Sequence, residues 1–250
     1  MYAQTVHSRS REVRFNPLPI AATPPVLQAA LEPLPGSRIA GLITEIPITH
    51  KRMKQGDFLF RAGGEFHSFY LLNAGFMKTC YVSEDGRERT TGFHLRGDIL
   101  GLDAVATGTY GCDAVALDVC DLLVIPYDAI VELGQHNSPL MHELHRAFGV
   151  EIRNDRDLML SMGSLPAEGR VAAFLLEMSR RFGSRGFSDT DLQLRLTRHE
   201  IGSLLGLKLE TVSRAFSHFA KLGLIRVHLR DVVLLDIDGL RDVISAHLDR

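Results

Sequence analysis

At 250 residues the chain has room for two domains, and 45% hydrophobic content is ordinary for a soluble globular protein. A formal net charge of −2 excludes a chain that is basic throughout, and no apolar run approaches the roughly 20 residues of a membrane-spanning helix. Cys80, Cys112 and Cys120 are too few and too scattered for a disulfide framework. The early cations Arg9, Arg11 and Arg14 lead into no apolar signal segment, so a cytoplasmic protein is expected.

Residues 1–37 read as a flexible tail. Prolines 17, 19, 24, 25, 33 and 35 crowd it and disfavour regular structure, leaving room for one short helix at Val26–Leu31. From Ile46 to Tyr127 short β runs are punctuated by Gly56, Gly63, Gly75, Gly86 and Gly97, at intervals of 7, 12, 11 and 11 residues. That spacing suits an antiparallel roll. Its strand candidates are Phe58–Phe60, Phe69–Leu72 and Met77–Val82, with Ser83–Gly86 as a hairpin tip. Cys80, and Cys120 in the apolar run from Val115 to Ile125, read as buried structural cysteines. Cys112, beside Gly111 in an expected loop, is the one candidate redox thiol.

A long helix is expected from Pro139 to about Met162. His145, Phe148, Ile152, Asp155, Met159 and Met162 repeat along it at 3,4,3,4,3, the seam of a two-stranded coiled coil. Asp155 on that seam would meet its own copy across a two-fold axis, a repulsion that weakens a dimer. The alternative is an outward Asp155 paired with Arg153 or Arg156. Eleven histidines include His136, His142 and His145 near this helix, but no third ligand joins the last two, and no metal site is expected. Pro166 ends the helix, and another follows over Arg170–Phe182.

Thr197 with Glu200 three residues later is a capping box, so a helix should begin at Arg198 and stop at Gly206. A second helix should start near Leu209, with Leu209, Val212, Phe216 and Phe219 as its buried stripe. Glu210, Ser213, Arg214, Ser217 and Lys221 would form the opposite face. Leu224–His228 and Val232–Leu235, split by Leu229-Arg230-Asp231, read as a following hairpin. Together these make a winged helix-turn-helix. Between Arg195 and Arg230 seven Lys or Arg stand against two acids, a basic island suited to phosphate. Arg214 can fork onto guanine, Glu210 can accept from a cytosine amino group, and Ser213 can bond base or phosphate. No Ser-His-Asp, Walker or glycine-rich phosphate signature appears, so no enzyme is expected.

The run Leu196-Thr197-Arg198-His199-Glu200-Ile201-Gly202 with Glu210-Thr211-Val212-Ser213-Arg214 resembles the CRP/FNR family of bacterial transcription regulators. The Glu-x-x-Ser-Arg pattern is similar to the FNR branch, and the likeness extends back through Arg180-Arg181-Phe182, Gly186-Phe187-Ser188 and Thr91–Leu95. It covers roughly residues 45–240. The resemblance implies an α+β chain: a tail (1–37), a cyclic-nucleotide-binding-like sensory β-roll (38–138), a dimerisation helix (139–165) and a winged helix-turn-helix (166–250). It implies a homodimer on double-stranded DNA, with TTGA-like half-sites in an inverted repeat and RNA polymerase as a further partner. Arg198, Lys208, Glu210 and Thr211 are expected DNA contacts, together with Ser213, Arg214, Ser217 and Lys221. Lys208 stands where relatives often carry a Ser or Thr cap.

Two departures from the family bear on the signal. Nucleotide-binding relatives place a Glu after the glycine equivalent to Gly101 and an Arg about ten residues on; this chain has Leu102, then Tyr110, Gly111 and Cys112. A buried phosphate without a cation is costly, so cyclic-nucleotide binding is not expected. FNR-branch proteins hold a [4Fe–4S] cluster with three cysteines in the head and one in the roll, where Cys120 matches. Here the first cysteine is Cys80, so no four-cysteine cluster and no cofactor is expected. In that branch an Asp matching Asp155 restrains dimerisation. The competing reading is a small-ligand or redox-sensing roll whose DNA binding is secondary; the effector and the target genes stay open.

Overall fold

The computed structural model describes residues 35–246, apart from Thr44, Pro47, Glu84 and Asp85. The expected tail up to residue 34, its helix at Val26–Leu31 and the centre of the Ser83–Gly86 tip lie outside the described residues. Helix α1 (Pro35–Leu42) is followed by the strands of the roll: β1 (Thr49–Met53), β2 (Phe58–Phe60), β3 (Ser68–Ala74), β4 (Met77–Val82), β5 (Glu88–His94), β6 (Ile99–Leu100), β7 (Asp113–Ala116) and β8 (Cys120–Pro126). They form two antiparallel four-stranded sheets, ordered β1-β8-β3-β6 and β2-β7-β4-β5. The three strand candidates all fall on strands, while β1 and β5 carry too many polar residues to announce themselves.

Strand β3 shows why Phe69–Leu72 is an unbroken apolar run. Alternate side chains leave a strand on opposite faces, and both faces of β3 are covered. Leu72 lies between the sheets with Met77, Leu100, Cys120 and Leu122. Phe69 and Leu71 face outward, onto Ile39 and Ile43, helix α2 (Tyr127–Gly134) at Ile130, and Leu140 and Leu144 of helix α3 (Ser138–Ser164). The 27-residue α3 starts with Asn137 capping the Leu140 amide at 3.0 Å, one residue before the expected Pro139.

Leu165 and Pro166, both extended, separate α3 from helix α4 (Ala167–Gly183), which opens the C-terminal part. There β9 (Asp191–Gln193), helices α5 (Arg198–Leu205) and α6 (Leu209–Lys221), the hairpin β10 (Ile225–His228) and β11 (Asp231–Leu234), and helix α7 (Ile237–Ser245) follow. The third strand, β9, pairs with β11 through Leu192 and Val232, an addition to the two-stranded wing expected from sequence. Val171, Phe174, Leu175, Ile201, Val212, Phe216 and Phe219 build the core of this part, and Phe93, Leu95 and Leu117 of the roll belong to the same cluster.

His94 lies at that junction, buried, with Nε2 3.2 Å from the Thr79 hydroxyl. The Thr91 hydroxyl donates to Thr79 Oγ1 at 3.0 Å, which leaves the Thr79 proton available to a neutral imidazole. Burial first, and then Arg181 and Arg185, against the pull of Asp98, lower the His94 pKa from 6.5 to about 4. Between these values the unfolded chain binds the proton and the folded chain does not. Stability is therefore fully present above pH 6.5 and falls towards pH 4, by on the order of 3 kcal/mol from this group. Denaturant titrations of His94→Gln are expected to show a flatter profile across that window; an unchanged slope would reject the assignment.

Candidate nucleic-acid interface

The helix-turn-helix is assembled as its local chemistry requires. Thr197 Oγ1 accepts from the Glu200 amide at 3.2 Å, and the Thr197 amide donates to Glu200 Oε2 at 2.7 Å, completing the capping box. Gly206 ends α5 at φ 66°, the left-handed conformation that favours glycine. Gly202 lets the turn fold back: a Cβ there would stand 2.7 Å from the Leu207 carbonyl oxygen. Helix α6 buries Val212, Ala215, Phe216 and Phe219. Leu209 departs from the expected stripe and is 43% exposed, because it is the first residue of the helix, ahead of the turns that meet the core.

The outer face of α6 carries Glu210, Arg214, Ser217 and Lys221, all exposed, with Thr211 and Ser213 half-buried beside them. Arg214 Nε donates to the Glu210 carbonyl at 3.3 Å and Ser217 Oγ to the Ser213 carbonyl at 2.9 Å, bonds that hold both side chains along the helix surface. Lys208 stands exposed at the N-cap and makes no side-chain capping bond. Arg198 behaves differently from its neighbours. Its guanidinium lies 3.7 Å from the Phe216 ring centroid and donates to the Leu229 carbonyl at 3.4 Å, so it braces α5 against the wing tip.

The basic island is also edited by the fold. Arg195 turns to the roll, 3.2 Å from Asp118 Oδ2, and Glu200 is drawn to Lys78 Nζ at 2.7 Å. With that pair removed, Arg198, Lys208, Arg214, Lys221, Arg226 and Arg230 stand against Glu210. Sequence reasoning missed Lys78 and Asp118, whose roles arise from contacts far apart in the chain.

In the roll, Tyr110 stacks on Phe60 with centroids 4.0 Å apart and donates its hydroxyl proton to the Ser68 carbonyl at 3.0 Å. Leu102 is buried among Phe69 and Ile99. Cys80 and Cys120 are buried on β4 and β8, which belong to different sheets. Burial above all raises the Cys80 thiol to about 11 and likewise raises Cys120. Cys112, the candidate redox thiol, is half-buried, and burial followed by the Asp103 carboxylate pushes it up to about 12. A thiol so placed stays protonated, which argues against that role. Among the described residues no group of three or more His, Cys, Asp or Glu is placed to hold a metal ion, and no helix is long and apolar enough to cross a membrane.

Along α3, Ile152 and Met159 are each 67% exposed and His145 and Asp155 are exposed, while Phe148 and Met162 are half-buried. Phe148 packs against the α1–α3 core. Asp155 makes no ion pair with Arg153 or Arg156 among the described residues; Arg156 leans to Asp157 at 3.9 Å.

A β-roll joined through a long helix to a winged helix-turn-helix with a cationic outer face defines a DNA-binding transcription regulator. Residues 50–137 match the cyclic nucleotide-binding domain and residues 169–243 the Crp-like helix-turn-helix domain. The chain is 39% identical over 194 residues to the transcriptional activator protein anr of Pseudomonas aeruginosa, covering 78% of this chain and 80% of that one. It is 37% identical over 190 residues to the fumarate and nitrate reduction regulatory protein of Escherichia coli, covering 76% of each. The solved structure of FixK2 from Bradyrhizobium japonicum superposes with a TM-score of 0.72 at 27% identity, over 78% of this chain and 96% of that one. The chain belongs to the CRP/FNR family of transcription regulators, and it is not an enzyme.

Arg214→Ala is expected to cost about 1–3 kcal/mol of binding to a specific site and to relax the preference at one guanine. Lys221→Ala should weaken specific and random duplexes alike and lower the salt slope by about one. Equal losses for Arg214→Ala on both duplexes, in fluorescence anisotropy, would assign Arg214 to phosphate instead.

Proposed function

We propose that the chain is a homodimeric activator reading an inverted repeat of TTGA-like half-sites, acting on RNA polymerase in the cytoplasm. The observation that carries this reading is the outer face of α6, where exposed Glu210 and Arg214 flank Ser213 in the Glu-x-x-Ser-Arg arrangement. Activation is supported by the names of the relatives, which are transcriptional activators. The dimer is supported by α3: Ile152 and Met159, seven residues apart, leave an apolar stripe in water that a second copy would cover. Asp155 sits exposed between them, and partial desolvation followed by the Asp103 carboxylate raises its carboxyl pKa.

Selection from random duplexes tests the reading. The expected product is two TTGA-like half-sites, inverted, with centres about one helical turn apart, bound by two chains. In sedimentation, Asp155→Ala should self-associate more tightly than the parent. A single unpaired half-site bound by one chain, and an unchanged association constant, would defeat it.

We also propose that neither a cyclic nucleotide nor a four-cysteine [4Fe–4S] cluster is the signal. Tyr110 and Leu102 fill the roll with apolar contacts at the positions that would hold a nucleotide. Cys80 and Cys120 are on strands of different sheets and cannot converge without opening the roll. Protein prepared without oxygen is expected to be colourless and free of stoichiometric iron. A brown protein with about four irons per chain, bleached by air, would overturn this.

A further inference from the structure

The reading head, α4 to α7, is joined to α3 only by the extended Leu165-Pro166 step, and such a step does not by itself define a rotation. Contacts with α3, where Leu158 joins the apolar cluster of the head, and with the roll must do so. The apolar part, in which Phe76 lies 6.0 Å from Phe93 and 6.2 Å from Phe182 between ring centroids, holds the head close but is non-directional. Direction comes from polar contacts: the Arg195–Asp118 pair and two clusters, one at each end of the junction. At one end Lys78 Nζ, on β4 and buried, donates to Glu88 at 2.6 Å and to Glu200 Oε1 at 2.7 Å, while the Thr90 amide on the edge strand β5 donates to Ser203 Oγ at 2.8 Å. At the other end Arg181 reaches Asp98 Oδ2 at 2.6 Å, Arg185 binds the same carboxylate, and Arg185 Nε donates to the Arg96 carbonyl at 2.8 Å.

Glu200 has a double duty. Oε2 completes the capping box of α5, and Oε1 receives the Lys78 ammonium. Since α6 turns directly off α5 at Gly206, the angle of the recognition helix is referred to strand β4 through one carboxylate. Burial opposes the Lys78 charge, and the bonds and fields of Glu200 and Glu88 more than restore it. A rotated head would leave a buried ammonium with one partner fewer, a costly state. The docked angle is therefore a distinct well.

We propose that Lys78, a residue of the roll, is a positioning residue for DNA reading: through Glu200 it sets the angle of the recognition helix and so the half-site spacing that the dimer accepts. The proposal rests on the dimeric reading of an inverted repeat. Inserting or deleting one base pair turns one half-site by about 34° and moves it about 3.4 Å relative to the other, so a rigid head penalises the change and a loosened head tolerates it.

The test compares binding of the full chain to three duplexes: two half-sites at the selected spacing, the same pair with one base pair added, and a single half-site. Lys78→Met is expected to reduce the parent's preference for the selected spacing by about fivefold, with less than a twofold change on the single half-site. Lys78→Arg should restore most of that preference. Ser203→Ala, which removes only the neighbouring bond, should shift it the same way by a smaller factor. Equal weakening on all three duplexes would assign Lys78 a stabilising role alone and overturn the proposal. So would an unchanged spacing preference, which would leave the angle to the apolar contacts. A parent protein that binds single and paired half-sites alike would overturn the dimeric reading itself, and the positioning role with it.

Discussion

The Glu200 carboxylate ties local to global structure in this chain. One oxygen is spent within three residues, on the Thr197 amide at 2.7 Å and hydroxyl at 2.8 Å, and starts α5. The other is spent across 122 residues, on Lys78. Burial would raise the Glu200 pKa, but these partners together hold it below the ordinary carboxylate range. The group is charged where its charge is needed, and the helix it caps is placed by the same group that caps it.

Charge elsewhere is sorted by the same rule. Cations of the C-terminal part that face the roll find carboxylates there: half-exposed Arg195 meets Asp118, and the more deeply buried Arg181 and Arg185 meet Asp98. Burial works against the Asp98 charge, but the two arginines outweigh it and keep the carboxyl below its usual range. The cations left over, Lys208, Arg214, Lys221, Arg226 and Arg230, are exposed around α6 and the wing. A chain with a formal net charge of −2 thereby presents a positive face in one place, which is what attraction to a phosphate backbone requires.

On α3 the balance runs the other way. Burial, then the carboxylates of Asp155, Asp98 and Asp103, raise Glu151 to about 7. Acids crowd the helix face that adjoins the roll, next to the exposed Ile152. Apolar surface favours covering this helix and negative charge opposes it, so small changes in either shift the outcome.

The sequence by itself determined the elements whose causes are local. The capping box at Thr197, the stop at Gly206 and the 3.6-residue stripe of Val212, Phe216 and Phe219 depend on neighbours within one or two turns and stand as read, and the wing strands fall within one residue of their expected bounds. Strand β9, the bracing of Arg198 on Phe216 and the exposure of Leu209 were not legible, since each depends on which surface another element covers. Only the tertiary structure decided which charges are free for DNA. Lys78 and Glu200, or Arg195 and Asp118, carry no mark of each other in the sequence, because an ion pair is a matter of distance in space. Their pairing leaves the outer face of α6 cationic and turns its first helix to a strand of the roll.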